Sequence, residues 1–172
     1  IVTGVQTCAL PISREIMMNV SIVERAEEKI AFISHYGAPE RVFETAAQFI
    51  QWRKETGLSP IAKSRTYGIP YSDPEQTLSD EFRFDIAGTI TADIPENTYG
   101  VSTGTLPKGN YAMIRHLGSH DNIKDSVYYL YRDWLPQSVR EVGDFPVFFH
   151  YHNFIHDVDE CDLITDIYLL LK

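Results

Sequence analysis

The sequence predicts an α+β fold made of two β-β-α-β-β units related by a pseudo-two-fold axis, with antiparallel sheets, one long helix per unit and a ligand groove between the units. Three observations predict it: an internal repeat at one constant offset, an apolar helical stripe present in both halves, and β-branched runs of strand length around each stripe. Ala31, Ile33, His35 and Gly37 reappear at Ala112, Ile114, His116 and Gly118, always at the same offset (112 minus 31, and the same difference for each pair). Val20-Ser21 matches Val101-Ser102 and Asp85-Ile86 matches Asp166-Ile167 at that separation, so the duplication spans nearly the whole chain after its first residues. A fixed long period is the signature of repeated supersecondary units.

Each half reads strand, strand, helix, strand, strand. VSIVER and KIAFISHY alternate and are rich in β-branched residues, with a tight connection between them. Pro39 suits a first helical position, Glu40 its first turn, and Gly57 the position past the end. Val42, Ala46, Phe49 and Ile50 follow the spacing of one apolar helix face, and Ile123, Val127, Leu130 and Tyr131 repeat it one offset later, joined by Trp134. Pro136 is expected to end the second helix. The remaining strands are RTYGIPY with FRFDIAGTI, and FPVFFHYH with LITDIYLLL. The expected organisation is a linker at 14–19, a first repeat at 20–95 and a second at 98–172.

The bulk properties narrow the function. A 172-residue chain with 44% hydrophobic and 23% charged residues can bury a full core and is not disordered. The net charge of −9 comes with no cluster of Lys and Arg, so the footprint that phosphate backbones require is missing and direct nucleic-acid contact is not expected. No apolar run reaches the roughly 18 residues of a membrane span. Cys8 and Cys161 have no paired spacing, which argues against a disulfide framework or zinc site and makes the cytoplasm the expected location. The first thirteen residues, IVTGVQTCALPIS, carry no charge and no initiator Met, and they resemble a translated sequencing-adapter fragment. They are expected to be non-native.

AFISHYG and AMIRHLG, the GIPYSDP turn, EFRFDI, DWLP and the terminal TDIYLLLK occur in an order that resembles the GyrI-like, or AraC-type effector-binding, domain family over residues 19 to 172. That resemblance implies a groove between the halves lined with aromatic side chains. It also implies a role as a ligand sensor fused behind a helix-turn-helix regulator, as a stand-alone binder or as a gyrase-modulating protein, while a few similar proteins are hydrolases. REIMMNVSIVE resembles the linker that enters the domain in fused regulators, so a helix-turn-helix region upstream in the gene is expected. The family's strand carries Pro-x-Phe-Glu-x-Tyr; here the stretch is Pro146, Val147, Phe148, Phe149, His150, Tyr151, and Phe149 stands where the resemblance implies a glutamate.

Losing a groove carboxylate favours a small hydrophobic or aromatic ligand over a cation and removes the general base a hydrolase would use at that position. Phe149 itself reads equally well as plain core. Strand alternation places Val147, Phe149 and Tyr151 on one face and Phe148, His150 and His152 on the other. Gly68 corresponds to Phe149 in the first half and leaves space there, while Tyr67, Tyr71, Tyr111 and Tyr168 are further candidates for the lining. His150, His152 and His156 invite a metal reading, but their spacing matches no standard pattern and the stretch reads as a solvated polar hairpin, so no metal and no cofactor are expected. His35 and His116 recur before a glycine at a strand end, which predicts backbone hydrogen bonds, and Asp85 and Asp166 recur as structural contacts. GVSTG mimics a nucleophile elbow but opens a strand with no helix behind it, so it carries no catalytic reading.

Overall fold

The computed structural model describes residues 19–172. The non-native reading of residues 1–13 therefore lies outside the described residues, as does Cys8. Eight strands run β1 (Val20–Arg25), β2 (Glu28–Tyr36), β3 (Thr66–Pro70), β4 (Arg83–Thr89), β5 (Ser102–Leu106), β6 (Gly109–Leu117), β7 (Phe148–Tyr151) and β8 (Ile164–Leu170). The first half carries α1 (Val42–Thr56), and the second carries α2 (Ile123–Tyr129), a π-helical segment at Leu130–Trp134 and a last turn α3 (Leu135–Ser138).

The strands form one antiparallel sheet in the order β1-β6-β8-β7-β3-β4-β2-β5. That order reads the same from either end once each strand is exchanged for its counterpart, so the two units share one sheet where the sequence suggests separate ones. β1 and β2 are not paired with each other: β1 adds to β6 of the second half, and β5 adds to β2 of the first. Each unit's first strand thus completes the other unit. At the seam, β3 pairs with β7 with Gly68 opposite Phe149. These two residues are also counterparts at the repeat offset (149 minus 68 equals 112 minus 31), so the pseudo-two-fold axis passes through their pair.

Both helices lie on one face of the sheet. Phe49 and Trp52 of α1 pack on Ala31, Ile33 and Ile86, and Ile123 and Leu130 of the second helix pack on Ala112, Ile114, Ile167 and Leu169. Burying these side chains contributes about 1.5–3 kcal/mol each. On the other face, Tyr67, Tyr111, Phe148 and Tyr168 form a second core with Ile30, Ile69 and Leu106.

The repeated histidines fasten the helices to the sheet. His35 Nε2 donates to the Ala38 carbonyl at 2.9 Å, and Thr45 Oγ1 lies 2.8 Å from Nδ1. His116 repeats this with the Ser119 carbonyl at 2.8 Å and Ser126 Oγ at 3.1 Å. A carbonyl can only accept, so Nε2 carries the proton and the hydroxyl donates to Nδ1 in the neutral ring. Asp85 and Asp166 are both buried and paired with arginines, Asp85 with Arg83 and Asp166 with Arg115.

Three local expectations change. The second helix runs past Pro136 to Ser138, with Pro136 just after the π-helical segment at Leu130–Trp134, where the regular ladder is already interrupted. Trp52, outside the predicted stripe, is among the most buried side chains of α1. Cys161 is not a free thiol, so the reading of two unpaired cysteines fails at that position.

Candidate functional site

Above the β3-β7 seam, on the helix face, the sheet and helices leave a cleft of about 690 Å3. Its floor is Phe84 of β4 with Val147, Phe149 and Tyr151 of the last strand pair. Ile123, Val127, Tyr128, Tyr131 and Arg132 form one wall, Pro39 and Val42 at the start of α1 the other, and the segment Pro70–Glu75 closes one side. The volume falls within the range of small-molecule pockets, about 300–1,000 Å3, and the lining is ring-rich with a few polar groups.

Phe149 satisfies both sequence readings at once, since its ring is 8% exposed within the second helix's core cluster and also borders the cleft. Phe84 and Tyr151 each lie 6.5 Å from it, centroid to centroid. His120, at the helix entrance, tilts against Tyr151 at 5.3 Å. Burial pushes the Tyr151 phenol well above its usual range, and among the described residues its hydroxyl has no side-chain hydrogen-bond partner. Burial, together with His116, lowers the His120 pKa and so favours its neutral ring.

Polar groups gather at the rim. Tyr128 donates its hydroxyl to Asp73 at 2.9 Å, sharing it with Glu75 at 3.0 Å, and Lys124 pairs with Glu75 at 2.9 Å. The bond to Asp73, with a smaller effect of burial, pushes the Tyr128 phenol up to about 12. Lys124, together with Tyr128, holds the Glu75 carboxyl below its usual range. These contacts tie the Pro70–Glu75 segment across to α2 and engage Asp73 and Glu75; Asp121 at the helix entrance also borders the cleft, while the floor presents no carboxylate.

The structure brings together four of the eight residues singled out from sequence: Val147, Phe149, Tyr151 and the half-exposed Tyr71 line the cleft. Gly68 lies beneath it, and the space expected there is filled. A Cβ on Gly68 would collide with the Tyr151 hydroxyl and come within 2.7 Å of Phe84 Cζ. Tyr67 and Tyr111 do not line the cleft, because both are fully buried in the core of the opposite face. Tyr168 also points to that face, into a second hollow of about 520 Å3 bordered by Arg25, Glu28, Arg65, His150 and His152. Strand alternation forbids neighbours such as Tyr67 and Gly68 from sharing a face. Sequence reasoning misses Phe82, Phe84, Tyr128 and Tyr131 as lining residues, although Phe82 and Phe84 lie within the EFRFDI motif and Tyr128 follows Val127 of the stripe.

A ring-floored cleft on a pseudo-symmetric α+β sheet is the architecture of a small-molecule binding domain. The comparisons with known proteins give that class its family: residues 18–172 match the model of the GyrI-like small molecule binding domain, and the chain belongs to that family. It is 42% identical over 154 residues to the probable transcriptional regulator YgiV of Escherichia coli strain K12, spanning 90% of this chain and 96% of the relative. Among solved structures it is similar to the EcmrR chain in its DNA complex, with a TM-score of 0.74 and 12% identity over 92% of this chain. The match spans 59% of that longer chain but 99% of the isolated EcmrR C-terminal domain. SAV2435, solved bound to tetraphenylphosphonium, aligns with a TM-score of 0.55 at 15% identity over 90% of this chain and 94% of its own. These structural likenesses show the fold.

Proposed function

We propose that this chain senses a bulky aromatic small molecule of low charge, held in the cleft with its rings against Phe84, Phe149 and Tyr151. The observation that carries this reading is the floor of the cleft, where the described residues present rings and no carboxylate. Asp73 and Glu75 stand at the rim, engaged by Tyr128 and Lys124. Offset and edge-to-face contacts with an aromatic ligand contribute about 0.5–1.5 kcal/mol each beyond area burial. A cation gains no opposing charge at the floor.

The sensing role is supported by the regulator relative, which this domain spans almost completely, and by EcmrR, in which the similar domain is part of a DNA-bound chain. We extend the reading to a module of a transcription regulator whose DNA contacts are made by a helix-turn-helix region outside these residues, as the acidic net charge of −9 suits. Phe149 stands where a family glutamate would supply the general base of a hydrolase, which favours binding over hydrolysis.

The test is a thermal-shift and calorimetry panel of three propeller-shaped probes: triphenylphosphine oxide as the neutral member, tetraphenylphosphonium as the cation and tetraphenylborate as the anion. A ligand at 100 times its Kd stabilises by about 2.7 kcal/mol. We expect the neutral probe to bind at least as tightly as the cation, with binding abolished when Val127 at the wall is replaced by Trp. Tenfold or greater preference for the cation would overturn the charge part of the reading, and binding unaffected by Val127→Trp would overturn the site.

A further inference from the structure

The face of the sheet away from the cleft carries a second constellation that ligand sensing does not use. Alternation along β7 sends His150 and His152 to that face, where they meet Asp166 of the neighbouring strand β8. One donor atom from each of the three side chains lies within 4.8 Å of the other two. His152 Nε2 stands 2.6 Å from Asp166 Oδ2. Neither ring nitrogen of the half-buried His150 has a hydrogen-bond partner among the described residues, and its ring lies 4.1 Å from that of His152. Both rings border the open hollow of about 520 Å3, so an ion has a way in.

We infer that His150, His152 and Asp166 form a binding site for a divalent transition-metal ion of the zinc, nickel and copper class. Two imidazoles and one carboxylate suit those ions, whereas magnesium and calcium prefer all-oxygen sets. Arg115 donates to both Asp166 oxygens, at 2.8 and 3.0 Å, and so orients the carboxylate from behind, as outer-shell partners of metal ligands do. On binding, the ion takes the place of the hydrogen bond between His152 Nε2 and Asp166 Oδ2, and His152 coordinates as a neutral ring through Nε2 with its one proton on Nδ1. That pair then opens towards the donor separation of about 3.3 Å that a tetrahedral site with bonds near 2.0 Å requires. Of the nearby cations, Arg25 and Arg65 share the one Glu28 carboxylate and Arg115 pairs with Asp166 itself, so their repulsion of the ion is partly offset. The sequence offers His156 as a third ligand, but the fold supplies Asp166, distant in sequence and adjacent in the sheet.

The test is titration of the tag-free full chain with Zn2+, Ni2+ and Mg2+ by calorimetry, with the histidine ring resonances followed by NMR. We expect one Zn2+ or Ni2+ per chain, shifts confined to the rings of His150 and His152, and no Mg2+ binding. His152→Ala, at an exposed position, and His150→Gln should each weaken binding at least tenfold while leaving the probe panel at the cleft unchanged. Absence of Zn2+ binding up to about 1 mM, or binding that survives both substitutions together, would overturn the site.

Discussion

The two halves share strands, histidine fasteners and buried aspartates, yet they treat the ground between them differently. At the axis the first half places Gly68 and the second Phe149, and a side chain at position 68 would collide with Tyr151 and Phe84. α1 is a regular helix of 15 residues closed by Gly57 at φ 65°, whereas the second helix takes a π-helical turn at Leu130–Trp134 and closes on Val139 at φ 59°. The second closing position falls one residue later than the repeat offset would put it, since the counterpart of Gly57 is Ser138, and the π segment absorbs the extra residue. That turn carries Tyr131 and Arg132, which border the cleft, in keeping with the frequent appearance of π-bulges at functional sites. Duplication supplies the frame, and departures from symmetry shape the ring-floored cleft.

The largest expected effect breaks the comparison at the axis. Phe149→Ala, which brings the second half close to the glycine of the first, should cost about 3–4 kcal/mol in urea unfolding, because a buried ring is lost from a packed cluster. It should also reduce binding of the neutral aromatic probe. A loss below about 1 kcal/mol would mean the floor does not depend on that ring.

Next in size is the reverse substitution. Gly68→Ala drives a methyl group into Tyr151 and Phe84 and should cost about 1–3 kcal/mol through overpacking. Because the nearest obstacle is the Tyr151 hydroxyl, the double variant with Tyr151→Phe should recover part of that loss, a coupling on the order of 0.5–1 kcal/mol. Strict additivity would show that the hydroxyl is not what excludes the methyl group.

A smaller effect sharpens the contrast between the helix ends. Val139 is β-branched, 96% exposed and left-handed, a conformation costing an L residue roughly 1–2 kcal/mol. Val139→Gly restores the residue type of the first half. After allowing for glycine's greater freedom in the unfolded chain, it should stabilise by about 0.5–1 kcal/mol. Gly57→Val should destabilise by a comparable amount, and opposite signs at the two ends are the outcome to look for in paired melts.

Much of this is legible from the repeat. The offset places the strands, both helices and the twin roles of His35 and His116, and the departure at Phe149 marks the floor of the cleft. Strand exchange is hidden, because β1 and β2 adjoin in sequence and periodicity does not say which partner a strand chooses. Tyr67, Tyr111 and Tyr168 are nominated by residue type, yet period-two alternation assigns them to the face opposite Phe149 once Gly68, Ala112 and Ile167 are placed beside it. The rim pairing of Tyr128 with Asp73 and Glu75 joins opposite halves of the chain and carries no local signal. The metal triad is hidden in the same way, since Asp166 reads as a structural repeat of Asp85 until β7 lies beside β8.

The smallest expected effect concerns the helix entrances, where Pro39 of the first half is the counterpart of His120 in the second. Pro39 carries no titratable group, whereas His120 does. Burial lowers the His120 pKa below 6.5, so the folded state disfavours the proton that the unfolded chain accepts. Its contribution to stability is therefore complete above pH 6.5 and is lost as pH falls from there towards the lower folded value. The partial exposure of the ring keeps that loss small. Unfolding midpoints measured at pH 7.5 and 5 should thus differ less in His120→Gln than in the natural chain. An equal pH dependence in both would mean that His120 accepts its proton in the cleft as readily as in water.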